Sequence, residues 1–231
     1  MSVACEVWWS RPLASADDYL DTLDDAERGR FDAYRQNADK QRFLTGRVLA
    51  RFAIARWLGT KPAEISFDAT CQDCGKAHGK PRVIGHDDVA LSLSHSGDRV
   101  GVAVTTGVPI GLDVESASRN ATNDLINYAL NDTERTALAG LTSDDAAAAF
   151  FSYWARKEAL MKATGRGLKI PLRNITLSAP GEPPRLVAAD DAALDPAAAT
   201  LLDVDPGPGY RAAVAALTNV PVEITEHWAS L

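Results

Sequence analysis

Asp113 and Glu115 stand two residues apart in the apolar run VPIGLDVES (Val108 to Ser116). In a strand, residues i and i+2 leave the same face, so both carboxylates would point one way. Further along, FFSYWARKEALMKATGRGL (Phe150 to Leu168) places Glu158 and Lys162 one helical turn apart, with Trp154 a turn earlier. A helix lying across the strand would bring three carboxylates together. Such a cluster is costly without a cation to neutralise it. An all-oxygen donor set suits a hard divalent ion. Mg²⁺ binds oxygens at about 2.0–2.1 Å and keeps water and substrate phosphate oxygens in its shell. The chemistry would then be phosphoryl transfer. Spacing alone leaves a plainer reading open, in which the strand end is solvated and Glu158–Lys162 is a helix ion pair worth about 0.3–0.5 kcal/mol.

The elements that must position these groups are legible in outline. Glu6 to Ser10 reads as a strand, and Asp17 to Tyr34 as helical. Asp39 to Leu58 has the broad apolar face of a packed helix, stopped by Gly59. Val89 to Leu93 reads as a strand followed by an SHSG turn. Arg99 to Thr105 and Val108 to Glu115 read as a hairpin turning at Thr106-Gly107. The helix that carries Glu158 spans Phe151 to Ala163. Strands are expected at Ile175 to Ser178, Arg185 to Val187, Tyr210 to Ala216 and Val222 to Trp228, with a surface loop over Ala188 to Ala199.

The plan repeats. LDDAERGRF (Leu23 to Phe31) resembles LNDTERTAL (Leu130 to Leu138). Glu27 and Glu134 are 107 apart, as are Phe43 and Phe150, while Gly59 and Gly165 are 106 apart. The near-constant offset predicts an α+β fold of two similar halves related by pseudo-twofold symmetry, residues 1–107 and 108–231, with the acidic site in the second.

The chain has 231 residues, 46% of them apolar, enough for a sizeable core. Its net charge of −7 argues against a nucleic-acid binder built on phosphate contacts. No run approaches the ~20 apolar residues of a membrane span. The N-terminus has no signal-peptide pattern, and three cysteines do not suggest a disulfide scaffold, so a cytoplasmic monomer is expected.

IGLDVE followed by WARKEALMK resembles the paired signature of 4′-phosphopantetheinyl transferases of the surfactin-synthetase type. Gly111, Asp113, Glu115, Trp154, Lys157, Glu158, Ala159 and Lys162 match it. LSLSHSG (Leu91 to Gly97) and HGKP (His78 to Pro81) are similar to two further motifs of that family, with Ser92 where Asn is frequent. The resemblance implies an enzyme, a holo-[acyl-carrier-protein] synthase, that moves the phosphopantetheine arm of coenzyme A onto a serine of an acyl or peptidyl carrier protein. The second product would be adenosine 3′,5′-bisphosphate. It implies Mg²⁺, with Mn²⁺ as a substitute, on Asp113, Glu115 and Glu158. Glu158 or Glu134 would take the serine proton, and Lys162 would meet phosphate oxygens. Arg42, Lys80, Pro81, Ser94, His95 and Lys157 would line the coenzyme A site, with His95 on the 3′-phosphate. The stretches Arg28 to Arg42 and Arg156 to Lys169 are candidate docking surfaces for an acidic carrier. The rival readings are a Mg²⁺-dependent diphosphate hydrolase or phosphotransferase, and a carrier-binding module without activity.

CQDCGKAH offers Cys71, Cys74 and His78, a possible zinc half-site with no obvious fourth ligand; His86 and Asp73 are weak candidates. Two free thiols in a loop are the expected state, without structural zinc.

Overall fold

A computed structural model of the chain describes all residues except Met1, Ala16, Gln72, Ala77, His78, Arg119 and Asn120, and omits the side chain of Leu168. Strand β1 (Val3–Ser10) leads to a 3₁₀ turn (Leu20–Thr22) and helix α1 (Asp25–Ala33). The helix is shorter than its periodicity suggests because Asp24 starts it. The Asp24 carboxylate accepts from the Glu27 N–H, and Glu27 accepts from the Asp24 N–H, a reciprocal cap. Helix α2 (Asn37–Leu58) ends on Gly59 at φ +70°, a left-handed position that favours glycine. Strands β2 (Phe67–Asp68) and β3 (Arg82–Val83) form a short ribbon ahead of β4 (Val89–Ser96) and β5 (Arg99–Thr106).

The second half runs β6 (Ile110–Ser116), α3 (Asn123–Ala129), α4 (Asp132–Leu138), α5 (Ser143–Thr164), β7 (Ile175–Leu177), β8 (Leu186–Ala189), β9 (Thr200–Val204) and β10 (Tyr210–Ala216). Strand β11 (Val222–Trp228) closes the chain. One sheet has the order β11-β1-β5-β4 and the other β6-β10-β9. In each, the half's first strand pairs antiparallel with its last, which pairs antiparallel with the one between them in sequence. Asn131 and Glu134 cap α4 as Asp24 and Glu27 cap α1. Helices α2 and α5 each have 22 residues and end on a left-handed glycine. The fold is α+β, built of two similar halves.

Several further sequence expectations change. β5 and β6 are not a hairpin, because β5 pairs with β1 and β4 while β6 pairs with β10. The hairpin is β4–β5, and His95 lies within β4 rather than in a turn. The limits of α2 and α5 are 106 residues apart, which sets Leu44, not Phe43, opposite Phe150. The stretch 108–231 is not all second half, since β11 pairs in parallel with β1 in the first sheet. The chain 200–204, which carries no turn signal at its start, forms β9.

The two sheets enclose one core, with Cys5, Val7, Trp9 and Ala103 against Ile110, Leu112, Val114 and Val214. Helix α2 covers the other face of the first sheet and α5 that of the second. Gly111 permits the closest approach. A Cβ there would fall 1.9 Å from the Ala159 carbonyl oxygen and 2.5 Å from the Ala163 nitrogen. Only a residue without a side chain lets α5 lie this near β6, and that contact sets Glu158 and Lys162 above Asp113.

Candidate active site

A cavity of about 600 Å³ opens where the halves meet. The first half lines it with Arg30, Arg42, Arg47, Lys80 and His95, the second with Asp113 and Lys162, so an acidic protein carries a basic pocket.

Asp113 is buried, 4% exposed, on the α5 face of β6. Its Oδ1 accepts from Lys162 Nζ at 2.7 Å and from Ser94 Oγ at 2.9 Å. Its Oδ2 is buried and accepts no hydrogen bond. Glu115, two residues on and half-buried, accepts from Ser96 Oγ at 3.0 Å. Glu158 is half-buried on α5, and burial first, then the charge of Asp113, push its carboxyl above the usual range. Lys162 opposes the shift and Glu115 adds to it. The three carboxylates feel one another, as the spacing of the two motifs suggests. Among the described residues no three ligand side chains already stand at metal-binding distance. Lys162 supplies the positive charge beside Asp113 instead. The donor set is nonetheless all oxygen, with one buried carboxylate oxygen unspent, and this fits a hard divalent cation.

His95 stands at the exposed mouth of the cavity. Partial desolvation, then Lys162 and Arg42, hold its imidazole below the usual range. Arg42 donates to the Gly97 carbonyl at 3.2 Å and pairs with Asp39 at 2.5 Å while lining the cavity. Arg47 is 6% exposed, and its Nη1 is buried with no acceptor. Its Nε lies 3.4 Å from Glu27. Burial outweighs Glu27 and draws Arg47 below the ordinary arginine range. Lys80 and Pro81 also line the cavity. Arg30 and Arg166, which the sequence suggested only for docking, do so too. No motif marks them; they reach the cavity because α1 and the end of α5 close over it.

Several sequence assignments need correction. Lys157 is wholly buried and donates to the carbonyls of Ala129 and Leu172 and to Glu134 Oε2 at 2.5 Å. All three of its N–H groups are spent inside the second half, so it is not a coenzyme A contact. Glu134 accepts from Lys157 and from the backbone N–H groups of Asn131 and Leu177. At 1% exposure it is a core ion-pair partner rather than a base open to substrate. The Ser94 hydroxyl accepts from the Val114 N–H and Lys162 and donates to Asp113, which fills its capacity and leaves nothing for a phosphate. Lys80 gives two of its three N–H groups to the carbonyls of Ile110 and Lys162. It is therefore first a strut between the halves, and burial lowers its pKa to about 8. His78 lies outside the described residues. Cys71 lies on the cavity wall, neither it nor Cys74 is in a disulfide, and the neighbouring Asp73 pairs with Lys169 at 2.7 Å.

Residues 109–215 match the family model described as the 4′-phosphopantetheinyl transferase superfamily. The chain is 26% identical over 222 residues to 4′-phosphopantetheinyl transferase Sfp of Bacillus subtilis (strain 168), covering 95% of this chain and 94% of that protein. It is 30% identical over 213 residues to 4′-phosphopantetheinyl transferase HetI of Nostoc sp., covering 89% and 83%. Among solved structures, the holo-[acyl-carrier-protein] synthase of Thermotoga maritima overlaps 48% of this chain and 64% of its own, with TM-score 0.38 and 19% identity. With nearly its whole length aligned to such enzymes, this chain belongs to the 4′-phosphopantetheinyl transferase family and is a transferase.

Proposed function

We propose that the chain transfers the 4′-phosphopantetheine arm of coenzyme A to a serine hydroxyl of an acyl or peptidyl carrier protein, with Mg²⁺, releasing adenosine 3′,5′-bisphosphate. The observation that carries this reading is the cavity itself, where a basic wall from the first half meets the carboxylates of the second. The wall suits an anion with several phosphates. His95 and Arg42 hold the 3′-phosphate at the mouth. Arg47 offers a buried N–H with no other acceptor. Pro81 gives an apolar surface on the same wall.

Asp113, Glu115 and Glu158 would hold Mg²⁺, which when bound neutralises charge on a diphosphate and fixes it for in-line attack. Lys162, beside Asp113, stabilises the negative charge that develops on the departing bisphosphate. Glu158 takes the proton of the attacking serine, directly or through a water. Without a cation, burial and the charge of Asp113 raise its proton affinity; a Mg²⁺ bound at the site would oppose that rise. The enclosed role of Glu134 leaves Glu158 as the base.

The test is the intact mass of an apo carrier protein after incubation with this enzyme and coenzyme A, with Mg²⁺ or with EDTA. A gain of about 340 Da, the mass of the arm, is expected only with Mg²⁺. Coenzyme A breakdown with both acyl and peptidyl carriers left unmodified would refute transfer and favour a hydrolase. Intact coenzyme A and unmodified carriers would favour a module without activity.

A further inference from the structure

Strand β6 is the edge of its sheet, hydrogen-bonded on one side to β10. Its other edge would leave backbone N–H groups buried and unpaired, at a cost of about 1–3 kcal/mol each. No strand completes it. Three serines of β4 do so instead. Ser92 Oγ accepts from the Leu112 N–H at 2.9 Å, Ser94 Oγ from Val114 at 3.2 Å, and Ser96 Oγ from Ser116 at 3.1 Å. The spacing is two residues on both strands, so the rungs climb in register. Two rungs do more. Ser94 Oγ donates to Asp113 and Ser96 Oγ donates to Glu115. Each of these hydroxyls is held by one backbone N–H of β6 and holds the carboxylate of the preceding residue. The Ser92 rung has Gly111 at that place and so carries no carboxylate.

We infer that Ser94 and Ser96 are positioning residues for the acidic cluster, and that the β4 hydroxyl ladder aims the two β6 carboxylates from the other half of the molecule. Without these hydroxyls Asp113 would keep only its contact with Lys162, and the longer Glu115 side chain would lose its Ser96 anchor. Here each accepts a hydrogen bond from a hydroxyl whose own position the β6 backbone fixes. The arrangement orders the ligands before a cation arrives, as outer-shell hydrogen bonds do in metal sites. The inference rests on the cation-binding reading above. It identifies what the SHS part of the LSLSHSG motif does on its inward face, while His95 points outward between the two serines.

Ser92 is the built-in control, because its rung supports β6 alone. The experiment compares Ser92→Ala, Ser94→Ala, Ser96→Ala and Ser94→Thr in the full chain, by calorimetric titration with Mn²⁺ and by thermal unfolding in EDTA. All three alanine variants should unfold at lower temperature in EDTA, since each orphans one N–H of β6. Only Ser94→Ala and Ser96→Ala should weaken Mn²⁺ binding, by about tenfold, and Ser94→Thr should restore most of it. In transfer assays these two should need more cation for half-maximal rate, with the rate recovered at saturation. Equal loss of Mn²⁺ affinity in Ser92→Ala would overturn the inference, and so would wild-type affinity in both Ser94→Ala and Ser96→Ala. If Ser94→Ala fails to fold, Ser96, at the less buried end, carries the comparison. A wild-type chain that binds no Mn²⁺ would overturn the cation site and the ladder's purpose together. A chain that binds Mn²⁺ but loads no carrier would overturn only the proposed reaction.

Discussion

The first strands of the two halves make a natural pair. β1 and β6 each pair antiparallel with the last strand of their half and lie under a 22-residue helix, but β11 flanks β1 on its other side whereas β6 is an edge. On the helix-facing side β1 carries Glu6 and Trp8, while β6 carries Asp113 and Glu115. In the first half the place is closed. Trp8 packs edge-on against Phe52 at 5.1 Å, and Glu6 accepts from the Trp8 indole N–H. In the second half, Gly111 draws the helix down, and the carboxylates face Glu158 and Lys162. One half supplies the basic wall of the cavity, the other its carboxylates. A repeated fold fixes where side chains can stand; residue choice at three or four positions decides whether chemistry follows.

The largest contrast should come from the carboxylates. Asp113→Ala should lower transfer by about 10³-fold or more, the scale of losing a principal transition-state charge stabiliser, while Glu6→Ala keeps most of the rate. Steady-state kinetics with a carrier protein reads both. Near-normal turnover in Asp113→Ala would erase the proposed division of labour.

The buried ion pairs sharpen the comparison at the level of stability. Among the described residues Glu134 has Lys157 as its one charged partner, whereas Glu27 pairs with both Arg51, at 2.7 Å, and Arg47. Lys157→Met leaves a fully buried carboxylate with neutral donors only and should cost about 3–5 kcal/mol. Arg51→Met should cost less, because Arg47 remains beside Glu27. Urea unfolding gives both values. Equal losses would show that the second arginine contributes nothing.

Gly111→Ala should cost about 1–3 kcal/mol by overpacking, and Ala4→Gly, at the matching place in β1, should cost less. The Gly111 variant should also lose transfer activity, because lifting α5 separates Glu158 from Asp113. Stability loss with full activity would show that the close approach does not set the site.

The smallest effect tests the anion wall. His95→Ala should weaken coenzyme A by about tenfold, the worth of a hydrogen bond to a charged group, and leave 3′-dephospho-coenzyme A nearly unaffected. Free His95 is held below the usual imidazole range by desolvation, Lys162 and Arg42. A bound phosphate opposes those effects and raises the histidine pKa, so binding takes up a proton. Affinity should strengthen as pH falls through the pKa of the complex and level off below that of free His95, and the gain is lost as pH rises through the complex's value. Calorimetry in buffers of unlike ionisation enthalpy measures the proton directly, and zero uptake would remove His95 from the phosphate.

Much of this was legible in the residues. The offset between DDAER and NDTER foretold the repeated caps, and the spacing within IGLDVE and WARKEALMK foretold which side chains share a face. Long-range partners were not legible. Lys157 and Glu158 are neighbours in sequence, yet a turn of about 100° per residue puts one in the core and the other at the site. Nothing local says that Lys157 meets the Ala129 carbonyl, or that β4 serines would finish the edge of β6. In sequence the SHSG stretch has the look of a turn, because Ser and Gly favour turns. Here its serines are strand residues whose hydroxyls replace a missing neighbour.

The return of β11 to lie beside β1 has a practical consequence. The link at Thr106 and Gly107 is exposed, and Gly107 has φ +74°, so the chain can be opened there without cutting into a sheet. The two fragments would not be self-contained, because the second carries a strand belonging to the first. Expressed separately, they would recognise each other by strand addition, and restored transferase activity would report their meeting. The protein is in this sense a split reporter whose docking strand is already built in.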